Sequence, residues 1–438
     1  MRVRVRHAVR GLAGTIEVPG DKSISHRAAL LGALATGPTE IAGFLESEDC
    51  LNTLRALQTL GVEVTRKGPG QYRIGGVGLG GLQEPDDVLD CGNSGTTARL
   101  LLGVLAGQPF GSVLTGDESL RRRPMGRVAE PLRQMGATVV GRSEGSRLPL
   151  AIRGARPLKG LCYRSPVPSA QVKSAILLAG LYAAGPVSVE EPAPSRDHTE
   201  RMLEGFGGRI AVDGSTVTLT PGGGLTGRPI SVPGDLSSAS FFLVAGAIVP
   251  ASRVTVRGVG VNPTRTGLLD GLREMEADLG LCGKRDGEEP IADLTVSASS
   301  LRGTRVGGAL IPRLIDELPI LAVAGAVGEG VMEVTGAREL RVKESDRIFT
   351  LACELGKLGA RIEAREDGFL IRGGVPMIGT RVESHGDHRM AMALIIAGLV
   401  AQGETVVEDT DCIATSYPEF VATLNSLAPE PCAYPEGG

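Results

Sequence analysis

"EVPGDKSIS" at residues 17–25 recurs almost unchanged as "SVPGDLSSA" at residues 231–239, and this repetition decides the expected fold. Each copy leads into a long apolar segment through an Asp, a residue type that favours helix N-termini. Each copy also contains a Pro-Gly pair, which marks a turn of the chain. We therefore expect the chain to enter one domain at the first copy and to leave it at the second.

Six segments share one plan, in which a polar cap precedes an apolar helix rich in Ala, Leu and Gly that ends at Gly or Pro. They begin at Asp21, Asn93, Ser169, Asp235, Asp316 and Asp387. The period is roughly 70 residues, which indicates a repeated structural unit. A short β-rich run and a second, amphipathic helix follow the apolar helices. Because the first helix of each unit is apolar nearly all round, we expect it to be buried beneath the second.

Three units lie between the two copies, so we predict two domains of three units each. One domain spans residues 21–232, and the other combines residues 1–20 with residues 233–438. The fold class is α/β with mixed α+β units of the βαβαββ type. A single large α/β sheet is the competing architecture. The alternation of Arg and Val in "MRVRVRH" predicts an edge strand at the N-terminus, and a short Arg-rich targeting segment is its alternative interpretation.

The composition excludes several classes of protein. The chain has 438 residues, a net charge of -4, 3% aromatic residues and no Trp, so it offers few platforms for stacking bases and nucleic acid is not an expected partner. Its longest apolar stretches fall short of the ~20 residues that cross a bilayer, so no membrane partner is expected. Seven scattered cysteines without a Cys-x-x-Cys pair indicate reduced thiols of a cytoplasmic protein. His385 and His388 are too weak a pattern to predict a metal site.

Cations are crowded at the starts of several predicted helices, where the helix dipole is already positive. Lys22 and Arg27 flank Ser23 in "GDKSISHR", and Arg99 and Arg389 follow "GNSGTT" and "GDH" in the same way. A bound anion would reconcile cations with free backbone N–H groups and hydroxyls. A solvated first turn is the alternative for any one helix.

Three further segments carry chemistry. "GNSGTT" at residues 92–97 supplies amides and hydroxyls that suit a phosphate or carboxylate, although it could simply be a helix cap. In "LRRRPMGR", Arg123 precedes Pro124, which suits the first position of a helix. In "LRVKESDRIF", Lys343 and Glu344 would neighbour Arg347 on a helix, either as an exposed ion-pair cluster or as groups poised for proton transfer.

Asp316 and Glu317 precede a strongly apolar helix, where a carboxylate is either a helix cap or a general base. The sequence contains neither a Gly-x-Ser-x-Gly elbow nor a catalytic Cys signature. Cationic binding groups, a few carboxylates and no evident covalent nucleophile together suit group transfer between anionic small molecules.

The ordered motifs "PGDKSISHRA", "GNSGTTARL", "RRPMGRV", "SAQVKSAILLAG", "RVKESDR" and "GDHRMAM" resemble those of the EPSP synthase (3-phosphoshikimate 1-carboxyvinyltransferase) family of enolpyruvyl transferases. The resemblance runs from about residue 15 to residue 420. It implies an inside-out α/β barrel in each domain, with helix N-termini directed at an interdomain cleft. It also implies transfer of the enolpyruvyl group of phosphoenolpyruvate to the 5-hydroxyl of shikimate 3-phosphate, with no cofactor and no metal.

The resemblance assigns roles to individual residues. Those implied to hold shikimate 3-phosphate are Lys22, Ser23, Arg27, Ser169, Ala170, Gln171, Asp316 and Lys343, together with Ser195 or Arg196 by a looser match. Those implied to hold phosphoenolpyruvate are Lys22, Gly95, Thr96, Arg123, Gln171, Arg347 and Arg389. Asp316 is the expected base, and Glu344 with help from Lys22 the expected acid. Domain 21–232 would therefore carry the shikimate 3-phosphate site, and the other domain the carboxylates and the phosphoenolpyruvate arginines.

Two departures from the family pattern resemble its more divergent branch, some members of which tolerate the inhibitor glyphosate. Thr415 stands where many members carry a Lys, and no Pro follows Arg99. Gly95 argues for sensitivity, because a side chain there would crowd the inhibitor out, so sensitivity stays open.

Two other functions compete with this prediction. A sister transferase acting on UDP-N-acetylglucosamine would want a Cys near residue 115 and an Asn after Lys22, and this chain has neither. A non-catalytic anion-binding protein would not need Asp316 and Glu344. We expect a monomeric cytoplasmic enzyme.

Overall fold

The computed structural model describes residues 1–8 and 10–436. The chain forms two compact units: a contiguous unit, Gly20–Val232, and a split unit that combines Met1–Pro19 with Pro233–Gly438. Gly20, which the sequence groups with the N-terminal strand, belongs to the contiguous unit. The reason is close packing, since a Cβ atom on Gly20 would overlap the carbonyl oxygen of Gly43.

The contiguous unit contains three sheets of four strands each. Across the sheets the order is Ile230–Ser231, Thr36–Ala42, Gln71–Val77, Glu63–Gly68 in the first, Leu89–Asp90, Gly111–Thr115, Arg147–Arg153, Thr138–Gly141 in the second, and Leu161–Arg164, Val187–Glu190, Thr216–Thr220, Arg209–Asp213 in the third. In every sheet the first two strands are parallel and the remaining neighbours are antiparallel. The three sheets thus repeat one plan.

The helices of the contiguous unit are of two main kinds. The apolar, largely buried helices are Lys22–Leu34, Gly95–Leu105 and Ala170–Gly180. The amphipathic helices are Glu48–Thr59, Gly126–Gln134 and His198–Gly205, and two short helical segments are Glu118–Arg122 and Arg142–Gly145. The buried helices approach closely, since a Cβ atom on Gly103 would overlap the carbonyl oxygen of Ala175. Glycine in these helices therefore permits tight packing.

The split unit repeats the same sheet plan. Its strand orders are Ala13–Glu17, Arg253–Gly260, Ile291–Ser297, Asp278–Arg285 in one sheet, Arg305–Val306, Val331–Val334, Gly368–Arg372, Arg361–Arg365 in another, and Arg381–Glu383, Glu404–Glu408, Arg2–Arg6, Ala433–Glu436 in the last. Six separate sheets of one plan confirm the mixed α/β fold with repeated βαβαββ units. The single large sheet was the wrong alternative.

The helices of the split unit follow the same division. Its apolar helices are Leu236–Ile248, Leu318–Val327 and His388–Gly398. The amphipathic ones are Gly267–Glu274, Arg347–Lys357 and Phe420–Leu427, with a short helix Ile311–Leu314 and 3-10 turns at Gly308–Leu310, Arg338–Val342 and Thr410–Thr415. All residues of Leu236–Ile248 are buried, as its apolar sequence predicts. Within residues 1–8 and 10–436, none of the helices has the length and apolar character to cross a membrane.

The N-terminal strand Arg2–Arg6 is an inner strand, so the predicted edge position is wrong. It pairs on one side with Glu404–Glu408 and on the other with Ala433–Glu436, both antiparallel. Its valines, Val3 and Val5, are fully buried, whereas its arginines pair with carboxylates on the neighbouring strands. An inner strand can also keep paired, half-exposed arginines on one face. The alternation of Arg and Val therefore does not distinguish an inner strand from an edge strand.

Two predicted helix starts shift by one or two residues. Ser94 rather than Asn93 caps the second buried helix, because its hydroxyl accepts a hydrogen bond from the backbone N–H of Thr97 at 3.1 Å. The fifth buried helix begins at Leu318, so Asp316 lies just before the cap position that Glu317 occupies. Asp316 is thereby available for contacts with side chains.

Candidate active site

The first buried helix of the contiguous unit begins beside an ion pair. Asp21 caps the helix by accepting a hydrogen bond from the N–H of Ile24 at 2.9 Å. Lys22 Nζ lies 3.0 Å from Asp49 Oδ2, and the two side chains are 18% and 10% exposed. The carboxylate of Asp49 compensates the cation that the helix dipole opposes. Asp49, at the start of the helix Glu48–Thr59, was not singled out in the sequence.

Arg27 lies one turn further on and is 4% exposed. Its Nε donates to Thr199 Oγ1 at 2.6 Å, and its Nη2 donates to Ser174 Oγ at 2.7 Å. Its Nη1 donates to the carbonyl oxygen of Ser23 at 2.9 Å. The guanidinium therefore joins three helices of the unit at their N-terminal ends. Its partners Ser174 and Thr199 were not predicted from the sequence.

The start of the helix Gly95–Leu105 is lined by guanidinium groups. Arg123 Nη2 donates to Asn93 Oδ1 at 2.5 Å, and Arg123 is 7% exposed. A Cβ atom on Gly95 would lie 2.7 Å from Arg99 Nη1 and 3.5 Å from Arg123 Nη1, so glycine keeps this helix start open. Arg123 ends the helix Glu118–Arg122, and the next helix begins at Gly126. The prediction that Pro124 occupies a first helical position is therefore wrong, because the chain turns there between two helices.

Gln171 connects this helix start with that of Ala170–Gly180. Its Oε1 accepts from Arg99 Nη1 at 2.6 Å, and its Nε2 donates to Thr96 Oγ1 at 2.9 Å. Gln171 and Thr96, which the sequence assigned to one ligand, are thus in direct contact. The same contact leaves Arg99 fixed by Gln171 and by the carbonyl oxygen of Pro124 at 3.0 Å.

The third buried helix is capped by Ser169, whose hydroxyl accepts from the N–H of Val172 at 3.5 Å. Glu191 Oε1 accepts from the N–H of Ser169 at 2.7 Å. Glu191 Oε2 accepts from the hydroxyl of Ser195 at 2.7 Å. Two predicted ligand residues are therefore held by one carboxylate that the sequence did not single out. Ala170 and Arg196, which follow Ser169 and Ser195 in the sequence, are both partly exposed.

A chain of polar side chains runs beneath these helix starts. His26 Nδ1 lies 2.7 Å from Thr53 Oγ1, which lies 2.7 Å from Thr97 Oγ1, and Thr97 donates to Ser94 Oγ at 2.8 Å. His26 is fully buried. Burial, with smaller contributions from the positive charges of Lys22 and Arg27, holds the pKa of His26 well below 6.5. His26 is therefore neutral in the folded protein.

This buried histidine predicts a loss of stability in acid. An unfolded chain protonates His26 at its ordinary pKa of 6.5, whereas the folded chain does so at a much lower pH. The free energy of unfolding should therefore fall as the pH drops below that value, by up to about 1.4 kcal/mol per pH unit. Urea unfolding at pH 7.5 and pH 5.5 should show this dependence weakened in His26→Asn.

The matched control is His7→Asn, because His7 is exposed in the split unit. It should keep the pH dependence of the unchanged protein. An undiminished pH dependence in His26→Asn would contradict the assignment of a buried neutral imidazole.

Asp316 and Lys343 form the first part of the site in the split unit. Lys343 Nζ lies 3.1 Å from Asp316 Oδ1, and Arg347 Nη1 lies 3.5 Å from the same oxygen. Lys343 and Glu344 precede the helix, which begins at Arg347 with Asp346 as its cap, so the predicted helical spacing of Lys343 and Arg347 is wrong. The extended backbone at Lys343 directs its side chain to Asp316 instead.

Arg347 is the most strongly enclosed cation of the site, at 1% exposure. Its Nε and Nη2 bind Asp387 at 2.8 and 3.2 Å, and Nη2 also binds Glu344 at 2.7 Å. Burial alone would lower the pKa of Arg347, but the charges of Asp387, Glu344 and Asp316 outweigh it and raise the pKa. Within the described residues, its buried Nη1 makes no hydrogen bond. Nη1 lies 3.5 Å from Asp316 Oδ1 without a hydrogen bond to it, so its N–H groups can donate to a bound anion.

Arg389 follows the same design at the next helix. Asp387 caps the helix His388–Gly398 by accepting from the N–H of Arg389 at 3.0 Å. Arg389 Nη1 donates to the carbonyl oxygen of Asp316 at 3.2 Å and lies 3.8 Å from Glu317 Oε1. Asp316, Arg347 and Arg389 are therefore neighbours within one unit.

Glu317 and Asp387 are functional candidates that the sequence did not assign to the site. The side chains of both are completely buried, and each faces an arginine implied to bind phosphoenolpyruvate. Glu317 also accepts a hydrogen bond from Ser237 and lies 3.5 Å from Arg265 Nη2. Ser237 belongs to the second Val-Pro-Gly-Asp copy. That repetition was the sequence feature from which a contact of Ser237 with the site could have been predicted.

The two histidines near this helix lie in different surroundings. His385 Nε2 lies 3.0 Å from Glu354 Oε1, whereas His388 is the first residue of the next helix. Over residues 1–8 and 10–436, the structure brings together no group of three His, Cys, Asp or Glu side chains suited to a metal ion. Thr415, where many family members carry a Lys, donates to the carbonyl oxygen of Cys412 at 2.7 Å.

The comparisons with known proteins agree with one another. A family model for EPSP synthase (3-phosphoshikimate 1-carboxyvinyltransferase) matches residues 7–424. The 3-phosphoshikimate 1-carboxyvinyltransferase of Geobacillus kaustophilus is 56% identical over 96% of this chain and 98% of its own length. That of Desulforamulus reducens is 51% identical over 97% and 99%, respectively. A solved structure of EPSP synthase from Acinetobacter baumannii has a TM-score of 0.88 at 44% identity and covers 99% of this chain and 100% of that one.

Proposed function

The chain belongs to the EPSP synthase family, and from this membership we propose which of its residues carry the reaction. The reaction transfers the enolpyruvyl group of phosphoenolpyruvate to the 5-hydroxyl of shikimate 3-phosphate and releases inorganic phosphate, a step of the shikimate pathway to aromatic amino acids. The observation that carries this function is identity of 51% and 56% with 3-phosphoshikimate 1-carboxyvinyltransferases over nearly the whole chain. The alternative acceptor, UDP-N-acetylglucosamine, is not favoured.

Shikimate 3-phosphate binding is assigned mainly to the contiguous unit. The residues proposed for it there are Lys22, Ser23, Arg27, Ser169, Ala170, Gln171 and Arg196. Helix starts offer backbone N–H groups to a phosphate, and Lys22 and Arg27 add positive charge beside them. The hydrogen bonds of Arg27 to Thr199 and Ser174 fix its orientation, so the guanidinium gives the proposed site a positive charge at a defined position. Ser195 is the alternative to Arg196.

Phosphoenolpyruvate carries a phosphate and a carboxylate, and both are anions that a guanidinium binds in a bidentate manner. The residues proposed to bind it are Lys22, Gly95, Thr96, Arg123, Gln171, Arg347 and Arg389. The contacts of the Arg347 guanidinium with Asp387, and of the Arg389 guanidinium with Asp316 and Glu317, support this assignment, because they fix the direction of both cations before any ligand binds. Preorganised charges avoid a reorganisation cost during the reaction.

Proton transfer is assigned to two carboxylates of the split unit. Asp316 is the proposed base for the 5-hydroxyl of shikimate 3-phosphate, and Lys343 beside it also belongs to the proposed shikimate 3-phosphate site. Nearby cations favour the ionised form of a carboxylate, which is the form that accepts a proton. Glu344, with help from Lys22, is the proposed acid for the methylene carbon of phosphoenolpyruvate. The methyl group formed in this way gives up a proton as phosphate leaves, which restores the carbon–carbon double bond of the enolpyruvyl group.

We also expect a monomer that acts in the cytoplasm. The proposed site uses residues of one chain, and the substrates are soluble anions. All seven cysteines are free thiols, with Cys50, Cys91 and Cys432 buried. Light scattering on the purified protein tests the oligomeric state.

Phosphate release tests the function directly. With shikimate 3-phosphate and phosphoenolpyruvate present together, the protein should release one inorganic phosphate per enolpyruvyl group transferred. Each substrate alone is the control and should give no release, because the acceptor hydroxyl and the donor are both required. Release with UDP-N-acetylglucosamine in place of shikimate 3-phosphate would move the function to the sister enzyme. Binding of both substrates without release would indicate a non-catalytic protein.

A further inference from the structure

A buried triad of charged side chains, Lys173, Glu191 and Glu200, lies in the contiguous unit. Lys173 Nζ is 2.8 Å from Glu191 Oε2 and 2.7 Å from Glu200 Oε1. The three side chains are 4%, 2% and 5% exposed. Such burial of charge carries a large desolvation cost, so the triad needs close pairing to persist.

Glu191 accepts hydrogen bonds from two different loops at once. One oxygen, Oε1, accepts from the N–H of Ser169 at 2.7 Å, at the start of the helix Ala170–Gly180. The other, Oε2, accepts from the N–H of Ser195 at 3.3 Å and from its hydroxyl at 2.7 Å, shortly before the helix His198–Gly205. One carboxylate therefore sets the positions of Ser169 and Ser195 relative to each other.

Lys173 offsets the desolvation cost of the buried Glu191 carboxylate. It lies one turn inside the helix that Ser169 caps, and its backbone N–H donates to the carbonyl oxygen of Ser169 at 3.0 Å. Burial alone would lower the pKa of Lys173, but the charges of Glu200 and Glu191 outweigh it and raise the pKa, so the lysine is charged. Its ammonium group balances the negative charge of the ionised Glu191, whose two oxygens accept hydrogen bonds from the two serines.

We propose that Glu191, held by Lys173, is a positioning residue for shikimate 3-phosphate because it fixes Ser169 and Ser195 in the orientation that binds this substrate. The proposal rests on the proposed function and adds residues that do not touch the substrate themselves. Glu191 acts through the serines, and Lys173 acts through Glu191. A purely structural triad would instead stabilise the fold without a selective effect on one substrate.

Glu191→Gln tests the proposal with a side chain of nearly the same size. The amide keeps one acceptor but directs an NH₂ group at a donor, either Lys173 or the N–H of Ser169. We expect the Kd for shikimate 3-phosphate to rise about tenfold or more, since hydrogen bonds to charged groups are the strong ones. The KM for phosphoenolpyruvate should change less than about twofold, which is a smaller change than the loss of one hydrogen bond to a charged group would cause. Titration calorimetry suits the measurement, because the chain has no Trp to report binding by fluorescence.

Glu190→Gln is the matched control. Glu190 is the neighbouring residue and pairs at 2.9 Å with Arg164, but their side chains are 42% and 85% exposed. An exposed pair contributes little, so this variant should bind shikimate 3-phosphate as the unchanged protein does. Equal loss of affinity for both substrates in Glu191→Gln, or unchanged affinity for shikimate 3-phosphate, would overturn the proposal.

Hydrogen exchange on the unchanged protein keeps the proposal testable if Glu191→Gln does not fold. Shikimate 3-phosphate should slow exchange in segments 165–172 and 191–197 together, whereas phosphoenolpyruvate alone should not slow exchange in segment 191–197. Protection of one segment without the other would overturn the proposal. Failure of the unchanged protein to bind shikimate 3-phosphate at all would instead contradict the proposed function, so the two failures are distinguishable.

Discussion

Asp316→Ala is expected to lower kcat by about a thousandfold, while binding of shikimate 3-phosphate remains measurable. The proposed base takes the proton of the attacking hydroxyl, and this contribution is made only while the reaction proceeds. Lys343, the partner of Asp316, is 29% exposed, so the lysine can turn to water when the carboxylate is removed. Arg347, which is 1% exposed, loses a contact of 3.5 Å but keeps Asp387 and Glu344 as partners. We therefore expect little change in the free energy of unfolding. Single-turnover phosphate release and calorimetric binding check the two halves of this prediction.

Asp286→Ala provides the control for Asp316→Ala. Asp286 is an 83% exposed carboxylate of the same unit that pairs with Lys284 at 2.9 Å, and its removal should leave kcat and binding unchanged. An equal loss of turnover and of shikimate 3-phosphate binding in Asp316→Ala would show a binding residue rather than a base.

Arg347→Met is expected to weaken both phosphoenolpyruvate binding and the fold. The variant leaves Asp387, which is completely buried, without its guanidinium partner. An unpaired buried charge costs about 3 to 5 kcal/mol, so the free energy of unfolding in urea should fall by that amount. The KM for phosphoenolpyruvate should rise by at least about a hundredfold if the guanidinium holds the ligand through two charge-assisted hydrogen bonds.

The double variant Arg347→Met/Asp387→Asn separates the two effects. Neutralising Asp387 removes the buried unpaired charge, so part of the lost stability should return while phosphoenolpyruvate binding does not. Arg302→Met is the matched control, because Arg302 pairs with Glu276 at 3.1 Å with 63% and 64% exposure and its loss should cost less than about 1 kcal/mol. Recovery of substrate binding together with stability would show that Arg347 acts only through the fold.

The sequence predicted the features that depend on local pattern. The buried helices follow from runs of apolar residues, and the cations at their starts were visible because they oppose the helix dipole. The contact of Glu344 with Arg347 was also predictable from their spacing, although Glu344 lies just before the helix.

Contacts that depend on packing were not predictable from a single sequence. Asp387 binds Arg347 across 40 residues, and Glu191 binds Ser169 across 22 residues, each from a loop next to another element. No periodicity connects such positions, and acidic residues in loops are ordinarily solvated. The helical spacing expected for Lys343 was wrong for a related reason, since the backbone at Lys343 is extended and its side chain meets Asp316, a residue 27 positions away.

The position of Arg2–Arg6 between Glu404–Glu408 and Ala433–Glu436 has a consequence for biosynthesis. On the ribosome, the contiguous unit has all its strands once residue 232 has emerged, whereas the strand Arg2–Arg6 of the split unit stays unpaired until Glu404–Glu408 and Ala433–Glu436 follow. We expect nascent chains that stop near residue 240 to contain one protease-resistant body preceded by a cleavable N-terminal segment. Completion of the sheet that contains Arg2–Arg6 then depends on the emergence of Ala433–Glu436.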